Sequence, residues 1–186
     1  MDQKVATISR NSNGNVKLEY YENDRLRSAL WEPFSTGILN TIFDEDGAVL
    51  RQEMLPKKND TQKEMDAHIS EFMKSANVKN ATDSSYNEIK LQKKCPTCGS
   101  SSISRYIELN GEKPVVPILP TYLCAGCKGR CYYLSDTYLD YLVSNNNDLF
   151  SKEELKELES NKDAFLSELK EYIIRIFASK RIMRIK

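Results

Sequence analysis

The chain has 186 residues, 40% of them apolar and 29% charged, with a formal net charge of zero. That length holds one medium domain or two small ones, and the balanced charge gives no whole-chain attraction to a polyanion. No stretch reaches the roughly 20 apolar residues of a bilayer-crossing helix, and residues 1–7 lack the basic and apolar regions of a secretion signal. The expectation is therefore a soluble, cytoplasmic protein with no membrane span.

The N-terminal part reads as β-rich. Val16, Leu18 and Tyr20 alternate with Lys17, Glu19 and Tyr21, the period-2 pattern of a half-buried strand. The turn-forming run 11–15 separates them from Val5, Thr7 and Ser9. A second hairpin is expected at Asp44-Glu45-Asp46-Gly47, with 38–43 entering and 48–54 leaving, because Asp-Gly tolerates positive φ angles. Helix remains the alternative for 36–43. Thr61-Gln62-Lys63-Glu64 matches a capping box led by the Thr61 hydroxyl. Met65, Ile69, Phe72 and Met73 follow at helical spacing, which predicts a helix over 61–75. The polar residues 76–88 read as a linker, with a domain boundary near residue 85.

All five cysteines lie between positions 95 and 131. Clustered C-x-x-C pairs in a chain without a secretion signal favour metal over disulfides. The pairs are Cys95-Pro96-Thr97-Cys98-Gly99 and Cys124-Ala125-Gly126-Cys127-Lys128-Gly129. Zinc takes four tetrahedral ligands and accepts thiolates in structural sites, so one structural Zn²⁺ on Cys95, Cys98, Cys124 and Cys127 is expected. Gly99 stands where such a knuckle needs a positive φ. Lys128 takes the equivalent place in the second pair, which predicts a slightly different knuckle there. Between the pairs, 102–109 is β-prone, Asn110-Gly111 signals a hairpin turn, and 114–123 returns as an extended segment with three prolines. Tyr132-Tyr133-Leu134 can supply a third strand.

Over residues 89–134 the chain resembles the zinc ribbon superfamily, in which two cysteine knuckles are joined by a β-hairpin and followed by a further strand. The resemblance implies a metal-organised fold and leaves function open, because ribbons serve transcription, translation, replication and purely structural roles. Ribbons that assist transcript cleavage carry an acidic pair at the hairpin tip. Here the tip is Asn110-Gly111-Glu112-Lys113, with one carboxylate, and this departure argues against that role. A rubredoxin-type iron site uses the same four ligands. Cys131 is either a small residue of the third strand or a substitute ligand in place of Cys124.

Nothing points to catalysis. Hydrolytic zinc keeps an open position and uses histidine or carboxylate ligands, whereas the only histidine, His68, lies in the 61–75 helix. Neither C-x-x-C pair opens a helix in the manner of a redox motif. The acidic run 44–46 reads as a solvated turn.

Downstream, Ser135-Asp136-Thr137 can cap a short helix carrying Tyr138, Leu139, Tyr141, Leu142 and Val143. Ser151-Lys152-Glu153-Glu154 is another capping box. Leu155, Leu158, Phe165, Leu166, Leu169, Tyr172, Ile173, Ile176 and Phe177 then form a helical stripe, with an interruption expected at 160–163.

Charge is segregated along the chain. Residues 89–134 carry seven basic and two acidic side chains, 135–174 four basic and ten acidic, and 175–186 five basic and none acidic. A basic ribbon interleaved with Tyr106, Tyr122, Tyr132 and Tyr133 suits phosphate contact and base stacking, with Lys93, Lys94, Arg105, Lys128 and Arg130 as the candidate nucleic-acid contacts. The competing reading has those tyrosines packing the small ribbon core. The expected fold class is α+β: a β-rich segment with one helix (1–85), a four-cysteine zinc ribbon (86–134) and a C-terminal helical region (135–186). The expected function is a non-enzymatic zinc-binding protein whose ribbon contacts nucleic acid or a nucleic-acid-handling complex. The alternatives are a structural or assembly protein making only protein contacts, and an accessory subunit or enzyme whose chemistry resides in residues 1–85.

Overall fold

The computed structural model describes residues 5–58, 60–78, 80–116, 119–133, 135–145, 151–153, 156, 160–161, 163–165, 167–169, 171 and 183–185. The chain divides into two compact units, Met1–Lys90 with Ile107–Val116, and Leu91–Tyr106 with Pro117–Lys186. This differs from three consecutive segments, because 107–116 interrupts the cysteine region and groups with the N-terminal sheet.

Turn chemistry lays out the first unit. Strands β1 (Val5–Arg10), β2 (Val16–Glu22), β3 (Arg25–Pro33), β4 (Gly37–Phe43) and β5 (Val49–Pro56) form an antiparallel meander. Between β1 and β2 the Asn11 side-chain oxygen accepts the amides of Asn13 and Asn15, at 3.0 and 2.9 Å. The β2–β3 turn is Asn23-Asp24, both at positive φ (51° and 61°). That pairing is the two-residue turn whose twist matches the flanking strands. Asp44 shapes the β4–β5 turn by accepting the amides of Asp46 and Ala48. Its carboxyl is held above the usual range, chiefly by burial. The acidic run thus serves the turn, and β4 settles 36–43 in favour of strand.

Helix α1 (Thr61–Ser75) has the expected bounds, but its cap is Asp60, whose carboxylate accepts the amides of Gln62 and Lys63. An aspartate one residue earlier outcompetes Thr61 for the orphan donors. Glu64 reaches back to the amide of Lys58 rather than to that of the expected cap. The segment read as a linker contains β6 (Asn80–Ser85), which pairs in parallel with β1 and completes the order β5-β4-β3-β2-β1-β6. Its sequence, Asn-Ala-Thr-Asp-Ser-Ser, has no apolar alternation, so its strand character comes from the neighbouring β1 and not from local preference.

One sheet face and α1 form the main core. Val16, Leu18, Tyr20, Ala29, Trp31, Ile38 and Ile42 meet Met65 and Ile69, with Phe72 and Met73 at the margin. Phe72 stands edge-on to both Tyr20 (5.2 Å) and Trp31 (5.3 Å), the favourable aromatic geometry. The opposite face is buried too, and mixes polar residues with Leu30, Leu39, Phe43 and Val49. Ser9, Lys17, Leu30, Thr41 and Gln52 are consecutive cross-strand partners, and all five are buried. Lys17, expected on the solvent side, is only 4% exposed and is paired to Glu19 at 2.9 Å.

The hairpin expected between the cysteine pairs is broken in two. Among β7 (Ile103–Tyr106), β8 (Glu108–Asn110), β9 (Lys113–Val115) and β10 (Thr121–Cys124), β7 pairs with β10 while β8 pairs with β9 as a separate ladder. The β8–β9 turn begins at Gly111 (φ 64°), as the sequence signal implied. This short hairpin belongs to the first unit, where the Ser35 hydroxyl donates to the Glu112 carbonyl at 3.4 Å.

In the second unit β11 (Arg130–Tyr133) adds antiparallel to β10, and β12 (Met183–Ile185) adds in parallel to β11, giving β12-β11-β10-β7. Helix was expected nearly to the C-terminus, and β12 corrects that for 183–185. Helix α2 (Asp136–Asn145) is capped by the Ser135 hydroxyl, which accepts the Tyr138 amide at 3.1 Å, and buries Tyr138, Leu139 and Leu142. Of the C-terminal stripe, Phe165 is buried and Leu169 half-buried, and helix is broken at Asn161, whose carbonyl accepts the Phe165 amide. Leu155, Leu158, Leu166, Tyr172, Ile173, Ile176 and Phe177 lie outside the described residues, as do Glu154, Arg175, Lys180, Arg181 and Lys186. Among the described residues no helix is long and apolar enough to cross a membrane.

Candidate metal centre

Two short turns bring the four predicted cysteines together. Each knuckle closes with the same bond: Cys95 N–H donates to the Ser100 carbonyl (2.8 Å), and Cys124 N–H donates to the Gly129 carbonyl (3.0 Å). The residue after each second cysteine is left-handed, Gly99 at φ 71° and Lys128 at φ 59°. The two knuckles share this closing bond and left-handed residue, and the first adds a bond from Gly99 N–H to the Cys95 carbonyl (2.8 Å), a slight difference of the kind expected from the lysine. A non-glycine residue accepts that conformation at a cost of about 1–2 kcal/mol.

Cys95, Cys98, Cys124 and Cys127 present sulfurs that all lie within 4.8 Å of one another. Cys95 and Cys127 are 3.8 Å apart, and Cys98 and Cys124 are 3.5 Å apart. A tetrahedral ion with metal–sulfur bonds of ~2.3 Å requires sulfur–sulfur edges of about 3.8 Å, so the group fits a zinc-sized ion. Among the described residues it is the only set of three or more metal-ligating side chains so arranged. Cys95 and Cys124 are buried, whereas Cys98 and Cys127 are exposed.

Backbone amides aim at the sulfurs. Burial raises the Cys95 thiol, but the amides of Cys98 and Thr97, together with the neighbouring thiols, bring it down to about 6. Cys124 is lowered chiefly by the Cys127 amide. For Cys127 the Gly129 amide lowers the thiol, yet burial and the adjacent sulfurs prevail and push it up to about 11. Four sulfurs this close cannot all ionise on their own, and a dication resolves the conflict.

Gly126 is a part of this centre that sequence reasoning passed over. A Cβ there would lie 2.8 Å from the Ser100 Cβ and 3.1 Å from the Cys98 sulfur. The second knuckle packs against the first through this bare backbone, and Ala125 N–H donates to the Ser102 carbonyl alongside (2.9 Å). A glycine inside a C-x-x-C pair was the available signal.

The predicted cations are dispersed around the small sheet. Lys94, Lys128 and Arg130 are exposed, and Lys93 and Arg105 are half-buried. Lys93 lies over the Tyr133 ring (5.2 Å) and Arg130 over the Tyr106 ring (5.0 Å). Register places Arg105 opposite Tyr122 and Arg130 opposite Leu123, so these two arginines occupy opposite sheet faces. Tyr122 and Tyr132 are buried, which for these two agrees with the reading that the tyrosines pack the small core. Register puts the two rings on opposite faces of the sheet, where Ile103, Cys124 and Cys131 are buried as well. His68 is half-buried on α1 and is not a member of the cysteine group.

No protein-family model matches the chain, and no curated protein or solved structure matches it either.

Proposed function

We propose that this is a non-enzymatic zinc-binding protein of the cytoplasm, in which Cys95, Cys98, Cys124 and Cys127 hold one structural zinc in the manner of a zinc ribbon. The observation that carries this is the convergence of the four sulfurs to within 4.8 Å of one another. Four thiolates complete a tetrahedral shell and leave no position for water or substrate. Zinc so held neutralises the thiolates and cross-links the two knuckles, which makes metal binding part of folding. Elemental analysis of the purified protein should give one zinc per chain. Iron in its place, or a metal-free protein with an intact second unit, would overturn this reading.

The ribbon's proposed partner is nucleic acid or a nucleic-acid-handling complex. The net +5 of residues 89–134 supports it. A zinc tetrathiolate contributes −2 and still leaves a positive module. Exposed Lys94, Lys128 and Arg130 are the strongest candidates for phosphate contact. Contact with protein alone is the second reading, favoured by the burial of Tyr122 and Tyr132, which withdraws two stacking platforms. Fluorescence anisotropy with labelled oligonucleotides separates the two. Under the first reading affinity falls steeply between about 50 and 200 mM salt, and neutralising Lys93, Lys94, Lys128 and Arg130 flattens the salt slope by roughly 0.9 for each phosphate no longer paired. Absence of binding at low salt leaves the protein-contact reading.

A further inference from the structure

Among the described residues five large apolar side chains are exposed, and three of them, Leu109, Val115 and Val116, lie on or beside the β8–β9 hairpin. Leu109 is the most exposed, at 54%. A lone two-stranded hairpin is marginal in water, and neither strand pairs with any other described strand. Its two edges differ. β9 carries Lys113 and Pro114, residue types that oppose strand addition. β8, which is Glu108-Leu109-Asn110, carries neither type. Register settles what the β8 edge offers. Two turn residues separate the facing pair Asn110 and Lys113, so that pair exchanges ladder hydrogen bonds and the next, Leu109 and Pro114, does not. Proline suits the second place, having no N–H to give. Leu109 therefore turns its N–H and C=O away from β9, and no described backbone group takes them.

We propose that β8 pairs antiparallel with β8 of a second copy of this chain, about a two-fold axis at Leu109. The two Leu109 residues then exchange a pair of N–H···O=C bonds, joining the hairpins into one four-stranded sheet. One face of that sheet carries the apolar row Pro114–Leu109–Leu109–Pro114. On the other face the axis sets Glu108 of each copy opposite the second copy's Asn110. A carboxylate acceptor meets an amide donor twice, and the two carboxylates are kept apart. This self-matching of charge argues for a second copy over an unrelated strand. An axis at Glu108 would instead oppose the carboxylates and use a residue whose backbone turns toward β9. Two hydrogen bonds and one leucine pair fall far short of a stable interface of about 1,200 Å². The dimer is therefore weak and concentration-dependent, with a Kd of about 0.1–1 mM.

Sedimentation equilibrium of the full-length chain, from about 20 µM to about 1 mM, tests this directly. The weight-average mass should rise from the 21.4 kDa of one chain towards twice that value. Leu109→Pro removes the outward N–H without touching the β8–β9 ladder, and should weaken association at least about tenfold. Val116→Lys, which alters an equally apolar site outside β8, should leave it unchanged. Substitutions at the exposed Asn110 keep the proposal testable should the proline variant fold poorly. Asn110→Lys sets an ammonium opposite Glu108 and should tighten the dimer about threefold, whereas Asn110→Glu sets like charges opposite and should loosen it by a similar factor. A mass that stays at one chain throughout the range overturns the proposal. So does a dimer that Leu109→Pro leaves intact, or one that the two Asn110 variants shift in the same direction, since another surface would then be responsible.

Discussion

The two units are held by different means. The N-terminal sheet has five antiparallel strands of six to nine residues and buries Trp31, Tyr20 and the α1 stripe against one another. Apolar burial of this kind stabilises in proportion to the area removed from water. The second unit's sheet has strands of three or four residues, and sulfur stands beside it. The second unit buries Ile103, Tyr122, Tyr132, Tyr138 and Leu139 around these short strands, and an ion held between 95/98 and 124/127 would add a cross-link to that burial. Side-chain volume specifies the first unit, and under the zinc reading ligand geometry helps to specify the second.

Metal removal should break the comparison most sharply. Chelation, or Cys98→Ser, should unfold residues 95–106 and 119–133 while the first unit keeps its protection in amide hydrogen exchange, because structural zinc contributes apparent binding energies of about 10–16 kcal/mol in small domains. Simultaneous loss of protection in both units would show that they share one source of stability. The reverse experiment is Phe72→Ala, which removes the ring set against Tyr20 and Trp31. It should cost the first unit about 3 kcal/mol in denaturant unfolding and leave zinc stoichiometry at one.

Alkaline titration sharpens the contrast by a different route. Burial pushes the Tyr20 hydroxyl up to about 12, against about 10 in an unfolded chain. Its contribution is fully present below pH ~10 and is lost as pH rises from there towards ~12. Unfolding of the first unit should track that window, and Tyr20→Phe should remove this part of the pH dependence. Gly126→Ala should act only on the second unit, crowding the Cys98 sulfur and destabilising it by about 2 kcal/mol. The smallest effect has the opposite sign. Lys128→Gly should stabilise the second unit by about 1 kcal/mol through relief of the left-handed lysine, measured as a shift in the chelator concentration that unfolds it.

Legibility in the sequence followed the range of the interactions involved. The two C-x-x-C pairs, α1 and the Asp44–Gly47 turn are written in spacings of two to five residues, and all were readable. Asn23-Asp24 was also legible in principle, since both residues tolerate positive φ, yet without glycine the turn passed unnoticed and β3 with it. Strand β6 was not legible, because its six residues become a strand only by pairing with β1, more than 70 positions earlier. Tyr122 and Tyr132 looked like surface aromatics because their burial depends on sheet formation and not on neighbours in sequence. Gly126 was not singled out, because the Ser100 side chain it must clear comes from the other knuckle, 26 positions earlier.

The hairpin at 107–116 has a consequence for how the protein is made. The chain passes from one unit to the other at residues 90–91, 106–107 and 116–117, so no single cut separates them. During synthesis the first unit lacks its last piece until residue 116 has emerged. By then Cys95 and Cys98 are already outside the ribosome, while Cys124 and Cys127 are still to come. The six-stranded sheet is complete in sequence by Ser85 and its unit by residue 116, whereas the four-cysteine group is complete only at Cys127, which makes the order of assembly first unit first and cysteine centre second.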